Sequence, residues 1–290
     1  MHPNLFMIPI IDWPVRTYGV MVLIGFLLAL YISSTQAKRE GRFYHEVQDY
    51  AFWALLGGML GAWMLYVIVN YREMFFEQPF VILSSGIKFP ACLAIWRGGA
   101  HYVGGFIGAI VTAVIYCRQR GLKWAPFFDA LALGVPVAMI FARTGCIAQG
   151  CCFGAPFSWL PLGMIYEAGS YPYRMMAVEG FRLGLQTPLL FPSEIAEGVG
   201  SLIIFAALVV IRGHKRAHGQ VFMSYIFLYS ILRFALEYVR GDTERGFWLS
   251  GLLTTSQIVS LAGVVIAIAW WFFHRPEWKR HCVPNTNTAS

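Results

Sequence analysis

Residues 142–154, ARTGCIAQGCCFG, put one arginine, three cysteines and three glycines at the end of a long apolar run. A guanidinium there can bind an anion through forked hydrogen bonds, and clustered thiols can bind metal or carry redox chemistry. Arg143, flanked by Gly145, Gly150 and Gly154, has the chemistry to hold a lipid phosphate. An arginine at a span end that reaches out to headgroups has the same sequence signature.

A second charged cluster lies in LRFALEYVRGDTERG, where Arg233 and Glu237 are four apart on one helical face and Arg240 sits about one turn further on. Charges inside hydrocarbon are costly, so they are functional candidates by default. FPSEIAEG places Glu194 and Glu197 in the first turn of a helix after Pro192. Helix-dipole stabilisation accounts for acids there, and a general base or arginine partner is the alternative. In GGAHYVGGFIGA, His101 precedes glycines that permit close approach of a helix or a ligand. A histidine has an unperturbed pKa of about 6.5 and could take a proton from a thiol, or it could simply anchor an interface.

Cys146, Cys151 and Cys152 lack the paired spacing of a structural zinc site, so they read as small side chains packed at a tight turn. Redox or metal chemistry stays open at this point.

The elements that must position these residues are membrane helices. Apolar residues make up 58% of the 290-residue chain and charged residues only 13%, which excludes an ordinary soluble domain. Seven segments approach the ~20 apolar residues needed to cross a bilayer: 15–34, 50–69, 101–116, 127–142, 195–211, 221–239 and 252–273. The reading is an all-α integral membrane protein with about seven transmembrane helices. It forms one polytopic domain over 1–274, with an interfacial arm near 70–99 anchored by Trp96 and Arg97, an extracytoplasmic cap near 145–191, and a tail over 275–290. The amino-terminal stretch lacks the pattern of a cleavable signal peptide.

The net charge of +7 does not point to nucleic acid, because the basic residues cluster in alternate loops. Lys38, Arg39 and Arg42, then Arg118, Arg120 and Lys123, then Arg212, Lys215 and Arg216, then Arg275, Lys279 and Arg280 all fall on one side. The positive-inside rule makes that side cytoplasmic, with the amino terminus outside and the carboxyl terminus inside.

Several segments together resemble the prolipoprotein diacylglyceryl transferases of bacterial inner membranes. They are RTYGVMVLIGF, VGGFIGA, ARTGCIAQGCCFG, FPSEIAE, LRFALEYVRGD and TTSQI, in that order across nearly the whole chain. The resemblance implies an enzyme that moves the diacylglyceryl group of phosphatidylglycerol onto the lipobox cysteine of prolipoprotein signal peptides, forming a thioether and releasing glycerol phosphate. It implies catalytic roles for Arg143, Arg240 and His101, and substrate binding by Arg143, Gly154, Glu237, Gly104, Gly105 and Tyr18. A displacement of this kind requires no cofactor and no metal.

Three positions depart from the family pattern. Val103 stands where a histidine precedes the paired glycines, Cys146 replaces the signature asparagine, and Trp63 replaces an arginine. The anion-binding residues are thus better kept than the proton-transfer residues. Two other readings stay open: a phospholipid-binding or transport protein without this activity, and a transferase with a different acceptor.

Overall fold

The computed structural model describes residues 4–8, 13–39, 44–77, 79–82, 88–94, 102–157, 163–178, 180–181, 184–241, 247–248 and 253–280. The helices in chain order are α1 (Thr17–Arg39), α2 (Tyr44–Val69), α3 (Tyr102–Gln119), α4 (Trp124–Ala132), α5 (Gly134–Gln149), α6 (Tyr171–Val178), α7 (Ser193–Gly213), α8 (Gln220–Leu236) and α9 (Thr255–Arg280). Small antiparallel hairpins join β1 (Asn4–Ile8) to β2 (Trp13–Arg16), β3 (Phe80–Ile82) to β4 (Lys88–Pro90), and β5 (Phe247–Trp248) to β6 (Leu253–Thr254).

Among the described residues, six helical stretches are long and apolar enough to cross a membrane, with α4 and α5 counting together as Trp124–Gln149. The shorter apolar helix Gly104–Gln119, within α3, occupies the remaining expected span. The chain is therefore a multi-pass, all-α membrane protein. Its helices expose leucine, isoleucine and phenylalanine on their outer faces, as lipid contact allows. The stretch Trp124–Gln149 is the exception: 56% of its apolar run is buried, against 33% or less for the others.

Within it, α5 also runs further than the apolar run indicates. It continues through Gly145 to Gln149, so residues 145–149 are helical and do not begin the cap. Gly145 reads as a loop signal in sequence, but here it marks a helix crossing: a Cβ on it would lie 3.0 Å from the Tyr18 ring of α1.

By its contacts the chain divides into two compact units, residues 37–127 and residues 1–36 with 128–290. In the first, α2 and α3 pack through Gly57, Gly58 and Gly61 against Gly104, Gly105 and Gly108. A Cβ on Gly61 would fall 2.8 Å from the Cα of Gly108, so any larger residue would force the helices apart. The Tyr50 hydroxyl donates to the Ala109 carbonyl at 2.7 Å across the same pair. The segment expected as an interfacial arm contains a π-helical turn, Glu73–Glu77, and the β3–β4 hairpin; Trp96 and Arg97 lie outside the described residues.

In the second unit, α7 packs on α5 and α8, and α8 on α9. Leu133, Ile204, Leu208, Val221 and Tyr225 form its buried centre. Asp129 of α4, almost fully buried, accepts the amides of Gly219 at 2.6 Å and Phe222 at 2.9 Å. Lys215 lies 3.1 Å from the same carboxylate. A carboxylate is thereby set at the positive end of α8, satisfying amides that the helix itself leaves unpaired.

Candidate functional site

Arg143 and Cys146 share one face of the last turns of α5, three residues apart. An Arg143 Nη donates to Cys146 Sγ at 3.9 Å. Its other Nη donates to Glu197 Oε1 of α7 at 2.8 Å, and the Tyr229 hydroxyl of α8 donates to that same oxygen at 2.9 Å. Three helices are thus tied at one carboxylate oxygen. Both charged side chains are buried, 15% exposed for Arg143 and 3% for Glu197. Arg143 Nε is buried as well and has no hydrogen-bond partner. One edge of the guanidinium is fixed while a charged N–H stays available, which suits an incoming anionic oxygen.

One turn before Glu197, Glu194 is only 1% exposed. Among the described residues its Oε1 has no hydrogen-bond partner, its Oε2 accepts a long contact of 3.5 Å from the Ser193 hydroxyl, and the carboxylate also interacts with its own amide and with the Tyr166 phenol. The positive charges of Arg143 and Arg240 both reach this carboxylate. From the cap, burial first and the Glu194 charge second hold the Tyr166 phenol above its ordinary range, so it remains a neutral donor beside the acid.

The chain then turns back at Gly150, whose left-handed φ of 71° ends α5 and sends its amide to the Cys146 carbonyl at 2.8 Å. The Cys151 amide points to the same carbonyl at 3.2 Å. Cys152 follows with φ 66°, the one positive-φ residue other than glycine among the described residues. The Ser193 hydroxyl donates to its carbonyl at 2.5 Å. This winding brings the sulfurs of Cys146, Cys151 and Cys152 within 4.8 Å of one another. Hydrogen bonding from Cys146 and Cys151, aided by the charges of Arg143 and Arg240, holds the Cys152 thiol below its ordinary range, whereas the same thiol hydrogen bonds push Cys151 up.

Past the thiols, residues 153–157 form a backbone bridge between two helix ends. The Gly154 amide donates to the Phe191 carbonyl at 3.0 Å, just before α7. Ala155 donates to Val239 at 2.9 Å and Gly241 to Phe153 at 3.4 Å, just after α8. Arg240 is thereby held directly opposite Gly154. A Cβ on Gly154 would come within 2.7 Å of Phe191 Cβ and 2.8 Å of the Val239 carbonyl oxygen.

Of the residues expected from sequence, Arg143, Arg240, Gly154 and Tyr18 meet in this one region. Tyr18 of α1 lies against Gly145, with Arg143 and the three thiols in its electrostatic surroundings. Glu237 is paired with Arg233 at 3.1 Å, both buried, as their four-residue spacing implies. Gly104 and Gly105 lie in the other unit, on the face of α3 packed against α2. His101 lies outside the described residues, as does the side chain of Val103. Trp63 is buried, and its indole donates to the Cys92 carbonyl at 2.8 Å.

Sequence reasoning missed Tyr229 and the convergence of the thiols. Tyr229 carries no distinguishing signal within an apolar helix. For the thiols the signal was Gly150, a left-handed helix end that folds Cys151 and Cys152 back onto Cys146.

Residues 3–273 match the model of a family described as prolipoprotein diacylglyceryl transferase. Among curated relatives, phosphatidylglycerol–prolipoprotein diacylglyceryl transferase of Nitratidesulfovibrio vulgaris is 28% identical over 265 residues, 90% of this chain and 89% of its own. The enzymes of the same name from Clostridium tetani and Acinetobacter baylyi are 25% and 27% identical; the alignments cover 92% and 94% of this chain, and 96% and 94% of theirs. With the family match running through every element that builds the arginine site, the chain belongs to the prolipoprotein diacylglyceryl transferase family.

Proposed function

We propose that this protein transfers the diacylglyceryl group of phosphatidylglycerol to the lipobox cysteine of prolipoproteins. The observation that carries the reading is the buried Arg143, tethered to Glu197 on one edge and carrying an unpartnered N–H on another, in a site that also gathers Arg240. The acceptor sulfur forms a bond to the terminal glycerol carbon as the bond from that carbon to the phosphate oxygen breaks. Glycerol phosphate leaves with the electron pair, so negative charge concentrates on the departing group. Arg143 and Arg240 stabilise that charge, and such fixed donors act most strongly where water is excluded.

The thiol proton passes to Glu194, a buried carboxylate whose Oε1 has no partner of its own. Tyr18, at the edge of the same region, contacts the lipid. The enzyme sits in the bacterial inner membrane with the site toward the outer face, the orientation supported by the basic clusters.

A second reading, a phospholipid-binding protein without transfer, is favoured by Trp63, a buried, hydrogen-bonded indole where the family pattern has an arginine. Purified protein incubated with phosphatidylglycerol and a lipobox peptide separates the two. Mass spectrometry should find the diacylglyceryl adduct on the peptide cysteine; lipid binding without adduct would establish the second reading instead.

A further inference from the structure

The three converging thiols have no part in the displacement as described, yet the backbone is wound to bring them together. Cys152 adopts a left-handed conformation that costs an ordinary residue roughly 1 kcal/mol or more. Its carbonyl is fixed by Ser193, and Cys151 is returned to the end of α5 by the Gly150 turn. Simple packing of small side chains needs none of this.

The distances suit a thiophilic ion. Thiolates bind zinc at about 2.3 Å, so two ligands of a tetrahedral site lie roughly 3.8 Å apart. Sulfurs already within 4.8 Å need about 1 Å of adjustment to reach that geometry. Cys146 is buried while Cys151 and Cys152 are partly exposed, which leaves one side of the triad open. The nearby charges of Arg143 and Arg240 offset the negative charge that three thiolates bring.

We propose that Cys146, Cys151 and Cys152 bind a zinc(II) ion with an open fourth position that takes the acceptor thiol. The inference rests on the transfer reading above and adds to it a means of holding the acceptor as a thiolate. Three protein ligands and one exchangeable position are the arrangement of reactive zinc sites, and a coordinating thiol is deprotonated on binding. The acceptor R–SH loses its proton to Glu194 and its sulfur occupies the fourth position. That sulfur then bonds to the glycerol carbon as glycerol phosphate departs. The thioether product is a weaker ligand than a thiolate and is released. No oxidation or reduction occurs in the sequence.

The test begins with full-length protein purified in detergent under nitrogen, measured for metal content and then loaded with cobalt(II) alone. About one zinc per chain and a sulfur-to-cobalt charge-transfer band are expected. The Cys151→Ser and Cys152→Ser variants should each weaken that band, and Cys117→Ser should leave it unchanged. Adding a lipobox peptide should shift the cobalt spectrum, whereas the same peptide with serine for its cysteine should not. Removing the metal should slow transfer on the order of a hundredfold, with recovery on zinc return.

A disulfide among the three cysteines in protein isolated without reductant, binding of copper(I) but not cobalt, or no cobalt band in wild-type protein would each overturn the proposal. Cobalt bound through thiolates with no spectral response to the peptide would overturn the open position. A cobalt band that responds to peptide in a protein that forms no adduct would leave the metal site standing and defeat the transfer reading, so the two failures are distinguishable.

Discussion

Arg143 of α5 and Glu197 of α7 meet at 2.8 Å in a buried pair, and the Tyr229 hydroxyl closes on the same carboxylate oxygen. The pair does two things at once. It joins α5 to α7 and α8, and it orients a guanidinium whose Nε has no hydrogen-bond partner among the described residues.

Breaking the pair should therefore cost stability before it costs chemistry. Glu197→Ala leaves Arg143 as a buried, uncompensated charge, a change typically worth about 3–5 kcal/mol. Tyr229→Phe removes one hydrogen bond to a charged group, about 1.5–3 kcal/mol. Thermal unfolding in detergent should rank the two in that order, and a Glu197→Ala protein as stable as wild type would remove the structural role assigned to the pair.

Substitutions of the arginines test the chemistry more directly. Arg143→Ala and Arg240→Ala should each lower transfer by on the order of a hundredfold to a thousandfold, the usual cost of losing a donor that strengthens in the transition state. Arg143→Lys keeps the charge but lacks the planar fork, so it should also be impaired. These assays are made at equal membrane abundance. Near-normal adduct formation by either alanine variant would show that the phosphate is held elsewhere.

The ion pair also shows how far sequence can reach. The apolar runs made the spanning helices legible, because hydrophobic length is the property a bilayer selects. The two-, three-, four- and five-residue strands of the hairpins carry too little periodicity to be read. Arg143, Arg240 and Glu197 stood out as charges in apolar surroundings, but which acid would face which base was not encoded in local spacing. Glu197 lies 54 residues from Arg143, and only the packing of α5 on α7 brings them together. Gly145 misled in the opposite direction: a glycine at a helix crossing and a glycine in a loop look the same in one sequence.

Asp129, fourteen residues before Arg143, makes another long-range polar anchor of the second unit. It serves two α8 amides and Lys215 together. Asp129→Ala would take the acceptor from both amides and one ionic partner from Lys215, with a loss of about 3–5 kcal/mol expected. Asp129→Asn keeps an acceptor for one of the two amides and turns a donor toward the other, so it should lose somewhat less. Unfolding midpoints of the two variants check the order, and equal effects would mean that an acceptor oxygen without the charge contributes nothing to the cap.

Within the other unit, Gly108→Leu should separate α2 from α3. The Gly108 Cα already lies 2.8 Å from where a Cβ on Gly61 would stand, and overpacking of this kind typically costs about 1–3 kcal/mol. Lower detergent-solubilised yield and a reduced unfolding temperature are expected. Unchanged values for both would mean that the glycines are not needed for close packing.

The family resemblance implies that Gly154 binds substrate, but its contacts point to a role exerted through Arg240. Its amide and carbonyl segment stitches Phe191 before α7 to Val239 and Gly241 after α8, and Arg240 sits directly across from it. A methyl group there would press on Phe191 and on the Val239 carbonyl, both too close for a real Cβ. Gly154→Ala should therefore displace the Arg240 segment, lowering both transfer and thermal stability. Arg240→Ala, by contrast, should lose transfer while keeping the fold, because the backbone bridge survives it. If Gly154→Ala instead retained full stability and lost only phosphatidylglycerol affinity, the glycine would be touching lipid, and the positioning role would be wrong.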